Sequence, residues 1–136
     1  MNIKAMLVAS VLGALVMWIT GGVFHEIIFS RFFARETGVN EHQGVAIIFV
    51  ACLILALMMT YLIVNLAKGE VKIADGIKYG VFAGVLWVFP HGLAIAAAHG
   101  ESLSYEVLNG LYHVFEQGLG GVVIAMVYQR MTREKI

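Results

Sequence analysis

Residues 46–64 read AIIFVACLILALMMTYLIV, nineteen consecutive positions without an Asp, Glu, Lys, Arg or His. Crossing the hydrocarbon of a bilayer takes roughly 20 apolar residues in a helix, and this run supplies them. Three more apolar windows lie at about 5–29, 77–98 and 105–128. Across 136 residues, 60% are hydrophobic, 13% are charged and mean hydropathy is +0.86. Soluble domains average about half apolar and about a quarter charged. A chain this short has too much surface to hide the excess in a water-facing core. The expectation is an all-α integral membrane protein, a four-helix antiparallel bundle forming one domain over residues 1–136.

Short connectors separate the windows: SRFFARETGVNEHQG, AKGEVKIADG and HGESLS. The first window exceeds the roughly 7–15 apolar residues of a signal peptide and lacks a clean A-x-A site, so it reads as a retained span. Basic residues set the orientation. Lys4, Lys68, Lys72, Lys78, Arg130, Arg133 and Lys135 fall on one side, Arg31 and Arg35 on the other. Cytoplasmic loops carry the Lys/Arg excess. Both termini are therefore expected in the cytoplasm of a bacterium, with the chain in its inner membrane. Glu36, Glu41, Glu101 and Glu106 mark the opposite side. Formal net charge is zero, which argues against nucleic acid and leaves the lipid bilayer as the main partner. Cys52 stands alone, so no intramolecular disulfide forms, and it reads as a small packing residue.

Membrane helices associate through small residues and interhelical hydrogen bonds. Ser10, Gly13, Ala14, Met17, Gly21 and His25 share one side of the first span. Gly80, Gly84, Trp87, His91 and Ile95 recur at three- and four-residue steps in the third, and Gly80 and Gly84 form a GxxxG pair. Asn109, His113, Glu116, Gln117 and Gly120 mark the fourth. Gly21, Gly80, Gly84 and Gly120 are the expected packing positions. The second span has no ionisable stripe and reads as scaffold, with Met58 and Met59 as adaptable packing.

At about 1.5 Å per residue, His91 lies roughly 12 Å below the outer end of its span, His113 roughly 10 Å and Glu116 roughly 15 Å. His25 and Glu26 lie near the outer end of the first span. A charged side chain near mid-bilayer costs at least about 2.5–3.5 kcal/mol. Glu116 is thus expected to stay neutral or to share a proton with His113, three residues earlier, while His91 faces the pair. The expected buried polar site is His91, His113, Glu116, Gln117, Asn109, His25 and Glu26. His42 and His99 read as solvated loop residues.

Imidazole and carboxylate suit a divalent metal, but His113-x-x-Glu116 reverses the order of di-iron bundles, which also need four carboxylates. A b-type haem between His91 and His113 is geometrically conceivable; c-type attachment lacks its C-x-x-C-H element. An intramembrane Glu flanked by His suits a proton relay, and small four-span chains can pair into a homo-oligomer around a pathway. Pro90 breaks one ladder bond just before His91. No Ser/His/Asp triad, phosphate-cradling loop or nucleotide motif supports an enzyme. Three readings stand, with no cofactor required: a small transporter or proton-linked channel subunit, a haem- or metal-binding protein, and a structural subunit of a membrane complex.

The third and fourth spans, IADGIKYGVFAGVLWVFP and VLNGLYHVFEQGLGGVVIAMVY, resemble the small four-span bacterial membrane proteins of domain of unknown function 1761. A Gly-rich third helix, a short outer loop and the NGLYH opening of the last helix, Asn109 to His113, carry the resemblance, over about half the chain. In the first span WITGGVFHEIIFSRFF stands where that family tends to have Trp-Tyr and Phe-Gly-x-x-Trp. The resemblance implies four spans and a membrane location, with no established activity or cofactor to carry over.

Overall fold

In a computed structural model, which describes residues 2–33, 41–67, 69–100 and 102–133, the chain is helical throughout its regular elements. Helix α1 spans Ile3–Gly22 and continues into a wider π-helical turn, Val23–Ile28; a short α2 follows at Ser30–Phe33. Helices α3 (Glu41–Leu66), α4 (Ile73–His99) and α5 (Leu103–Arg133) complete the chain. Four helices are long and apolar enough to cross a membrane: Ile3–Ile28, Gly44–Leu66, Ile73–His99 and Leu103–Arg133. The architecture is that of a multi-pass membrane protein. Lys68, Lys135, Arg35, Glu36 and Glu101 lie outside the described residues, as do the side chains of Glu41 and His42.

Local chemistry sets the helix ends. Asn2 caps α1, its Oδ1 accepting from the Ala5 amide at 3.2 Å. At α4 the Lys72 amide donates to Asp75 Oδ2 at 2.8 Å, the reach-back of a capping box. That bond starts the helix at Ile73, so residues 73–76, expected in a connector, form its first turn. Gly100 closes α4 in the left-handed region, φ 67°, where a Cβ would clash.

Helix α5 is the centre of the bundle. Half of its spanning stretch is buried, against about a quarter in each of the others. It runs antiparallel to α4: a Cβ built on Gly76 would meet the Gly121 carbonyl at 2.2 Å, on Gly80 the Gln117 carbonyl at 2.3 Å, on Gly84 the Val114 Cα at 2.7 Å. Backbone touches backbone along this seam, the approach that small residues permit without water. On its other flank α5 packs antiparallel to α1, where Gly13 sits against Ile124 and Gly120 against Met17. Helix α3 lies on α1, joined by a buried hydrogen bond of 2.8 Å between Ser10 and Thr60 and by Trp18 edge-on to Phe49. Met17, Met59, Ile63 and Ile124 fill the core. Met58 is exposed, and α3 is the least buried span.

Both ends of the described chain meet at one end of the bundle, where the Asn2 amide donates to the Tyr128 hydroxyl. Lys4, Lys72, Lys78, Arg130 and Arg133 share that end by the antiparallel order of the helices, and Arg31 stands at the other.

Candidate functional site

The site grows from one helical turn of α5. His113 and Glu116 are three residues apart, so both leave the helix on the same side. His113 Nδ1 lies 2.6 Å from Glu116 Oε2. A single proton between nitrogen and oxygen satisfies both atoms, whichever atom carries it. Tyr112, four residues before Glu116, donates its hydroxyl to Oε1 at 3.3 Å. Glu116 is 4% exposed and Tyr112 8%, so the carboxyl group is held inside the bundle with both oxygens engaged.

Helix α1 supplies the facing wall. A Cβ on Gly21 would sit 3.0 Å from Glu116 Oε1, so the glycine makes room for the carboxylate. Just beyond the Gly21–Gly22 pair the helix widens into its π-turn, closed by the Phe29 amide donating to the Phe24 carbonyl at 2.9 Å. Such turns recur at functional sites because they shift side-chain phase within a helix. Here the turn puts Phe24 and His25 against α5. Phe24 stacks on Tyr112 at 3.7 Å and 12°; His25 meets Tyr112 edge-on at 5.5 Å, and its ring centre is 5.9 Å from that of His113. Thr20 approaches the Tyr112 hydroxyl from α1, and Cys52 of α3 lies within electrostatic range of Tyr112 and Glu116.

The expected site is thus redistributed. His25, His113 and Glu116 come together. Gln117 is 1% exposed, one residue from Glu116 and four from His113. Asn109 is half-buried, with its Oδ1 enclosed. Glu26 is exposed, unlike its half-buried neighbour His25. His91 is the larger correction. It is exposed, beside the exposed Trp87 and Pro90. It does not face His113, because Gly84 is the α4 residue at that level and Gly92 lies against Glu106. Seven residues separate Gly84 from His91, about 10 Å along the helix. His91 and His113 therefore do not face each other across the α4–α5 seam. Among the described residues no group of three or more His, Cys, Asp or Glu is placed to hold a metal ion.

Tyr112, Phe24 and Glu106 are the residues that sequence reasoning missed. Tyr112 stands at i−4 from Glu116, a spacing as legible as that of His113, but its ring reads as ordinary apolar packing. Glu106 was placed among the outer polar residues; it is 9% exposed, and Gly92 makes room for its carboxylate. The cause is helix phase: Glu106 faces α4 at Gly92, while Leu103 and Ser104 in the same turn stay exposed. No protein-family model, curated protein or solved structure matches the chain.

Proposed function

We propose that the chain is a small proton-linked transporter or channel subunit of a bacterial plasma membrane, with both termini in the cytoplasm. One observation carries the reading: the His113–Glu116 pair, 2.6 Å apart, with the carboxyl buried and the imidazole half-buried in a bundle of apolar helices. An ionisable pair inside a membrane domain is costly unless the groups satisfy each other, and such pairs mark proton relays. Glu116 is the proton-holding group, His113 shares its proton, Tyr112 orients the carboxyl and His25 is the next imidazole along the wall. The basic end of the bundle supports the orientation.

The purified protein in proteoliposomes, with a trapped pH indicator and an imposed potassium diffusion potential, should pass protons. Glu116→Gln keeps shape and hydrogen-bonding capacity and removes the titration, so it should abolish the flux while leaving the fold intact. Equal flux in wild type and Glu116→Gln, or none in wild type, overturns the reading. A second reading, an assembly subunit or homo-oligomer, draws on His91: an imidazole on an exposed apolar face is better covered by protein than by hydrocarbon. In that case wild-type vesicles stay proton-tight and the chain is recovered from native membranes as a complex that His91→Ala dissociates.

A further inference from the structure

Beside the His113–Glu116 pair, α5 carries a second set of polar atoms. Gln117 is 1% exposed, and neither its Oε1 nor its Nε2 has a hydrogen-bond partner among the described residues. Asn109 Oδ1 is buried in the same condition. Each such atom left bare forfeits its hydration with nothing in exchange. Buried polar groups are satisfied by protein or by ordered water in about nine cases of ten.

These atoms are not scattered. Glu106, Asn109, His113 and Gln117 follow one another at steps of three and four along α5, which places them on one side of the helix over about 16 Å. Glu106 marks the end nearer the α4–α5 connection and Gln117 the middle of the helix. Beyond Gln117 the character changes at once. A Cβ on Gly121 would lie 2.1 Å from the Gly76 carbonyl, one on Gly120 2.7 Å from Met17 Cγ, and Ile124 and Ala125 are fully buried. No polar side chain continues the stripe through that contact.

We propose that ordered water binds the Asn109 and Gln117 amides and forms a one-sided path along α5, leading from the α4–α5 connection to Glu116 and closed beyond Gln117 by the glycine seam. Water fits the chemistry: each amide offers two donors and a carbonyl acceptor, and a buried water needs two to four such partners. The path deepens the proton reading, on which its use rests, by naming the side from which Glu116 exchanges its proton.

The test is accessibility in proteoliposomes of a chain whose Cys52 is replaced by Ala. Single cysteines are placed at Asn109, at Val122 and, as a side marker, at Ser102. A membrane-impermeant methanethiosulfonate is added to one side at a time. Asn109→Cys should react only from the Ser102 side, about tenfold or more faster than Val122→Cys, because the attacking thiolate forms only where water reaches it. Reaction at Asn109→Cys as slow as at Val122→Cys, or equal from both sides, overturns the path. A variant without an introduced thiol guards against misfolding at Asn109. In Gln117→Leu, hydrogen–deuterium exchange of the Glu116 carboxyl, followed by infrared, should slow about tenfold or more relative to wild type; an unchanged rate also overturns it. The two ideas fail separately. Fast one-sided labelling without proton flux keeps the path and removes the transport reading. Flux with slow labelling does the reverse.

Discussion

At the scale of single residues, Glu116 binds its surroundings through both oxygens, and the two contacts differ in weight. Tyr112→Phe keeps the stack on Phe24 and loses one hydroxyl bond of 3.3 Å, a cost of about 1 kcal/mol. Glu116→Ala strips His113 of its partner and leaves a cavity beside Gly21, so it should destabilise by more, about 2–4 kcal/mol. Thermal unfolding in detergent should rank wild type, Tyr112→Phe, then Glu116→Ala. If Glu116→Ala melts no lower than Tyr112→Phe, the pair does not contribute to holding α5 in place. The pairing of His113 with Glu116 was legible because ionisable residues three apart stand out in an apolar run. His25 was legible as a polar residue near the outer end of the first span; the stack of Phe24 on Tyr112 was not, because it depends on a π-turn whose local signal is the Gly21–Gly22 pair.

At the scale of helices, the α4–α5 seam decides how closely two backbones approach. Gly121→Ala forces a methyl to within 2.1 Å of the Gly76 carbonyl, so the helices must part. Gly22→Ala meets nothing within 4 Å and only improves helix propensity, by up to about 1 kcal/mol. In the same detergent melts Gly121→Ala should fall well below wild type and Gly22→Ala should match or exceed it. Equal melting of the two would show that the seam tolerates separation. The four spans themselves were readable from apolar length alone. The face of α4 was readable only in part. Its buried stripe runs Gly76, Gly80, Gly84, Val88, Gly92, Ala96 in steps of four, whereas the expected face took a step of three from Gly84 to Trp87 and so reached His91. Both steps are allowed within one helix. The choice is made by the partner, since Gly92 must accommodate Glu106. One residue of phase is about 100° of rotation, enough to turn an inferred site residue outward.

At the scale of the whole molecule, the described basic residues other than Arg31 gather at the end where Asn2 meets Tyr128. Cysteines introduced at Glu70 and Ser102 should label from opposite faces of sealed cells or inverted vesicles. Labelling of both from one face contradicts the antiparallel crossing. At the basic end the Arg133 guanidinium donates to Glu70 and holds its carboxyl below the ordinary range. A depressed carboxyl stabilises the fold above its unfolded-state value, and the contribution disappears as pH falls through the folded one. The pair is exposed, so salt and water screen it. Glu70→Gln should therefore lower the melting temperature only slightly at neutral pH, less at high salt, and not at all in acid. A large neutral-pH loss would assign this ion pair a structural weight that an exposed contact does not carry.

The central position of α5 also has a consequence in time. Among the four crossing helices it is the one synthesised last, yet α1 and α4 turn their close-packing faces toward it. During biogenesis the earlier three must wait in the bilayer with Gly13, Gly76 and Gly80 facing lipid, held together mainly by the α1–α3 contact around Ser10 and Thr60. Assembly is then completed by one late arrival rather than built up pair by pair. A ribosome stalled in the α4–α5 connection should leave a loose, protease-sensitive intermediate, and separately expressed α5 should rescue it in trans.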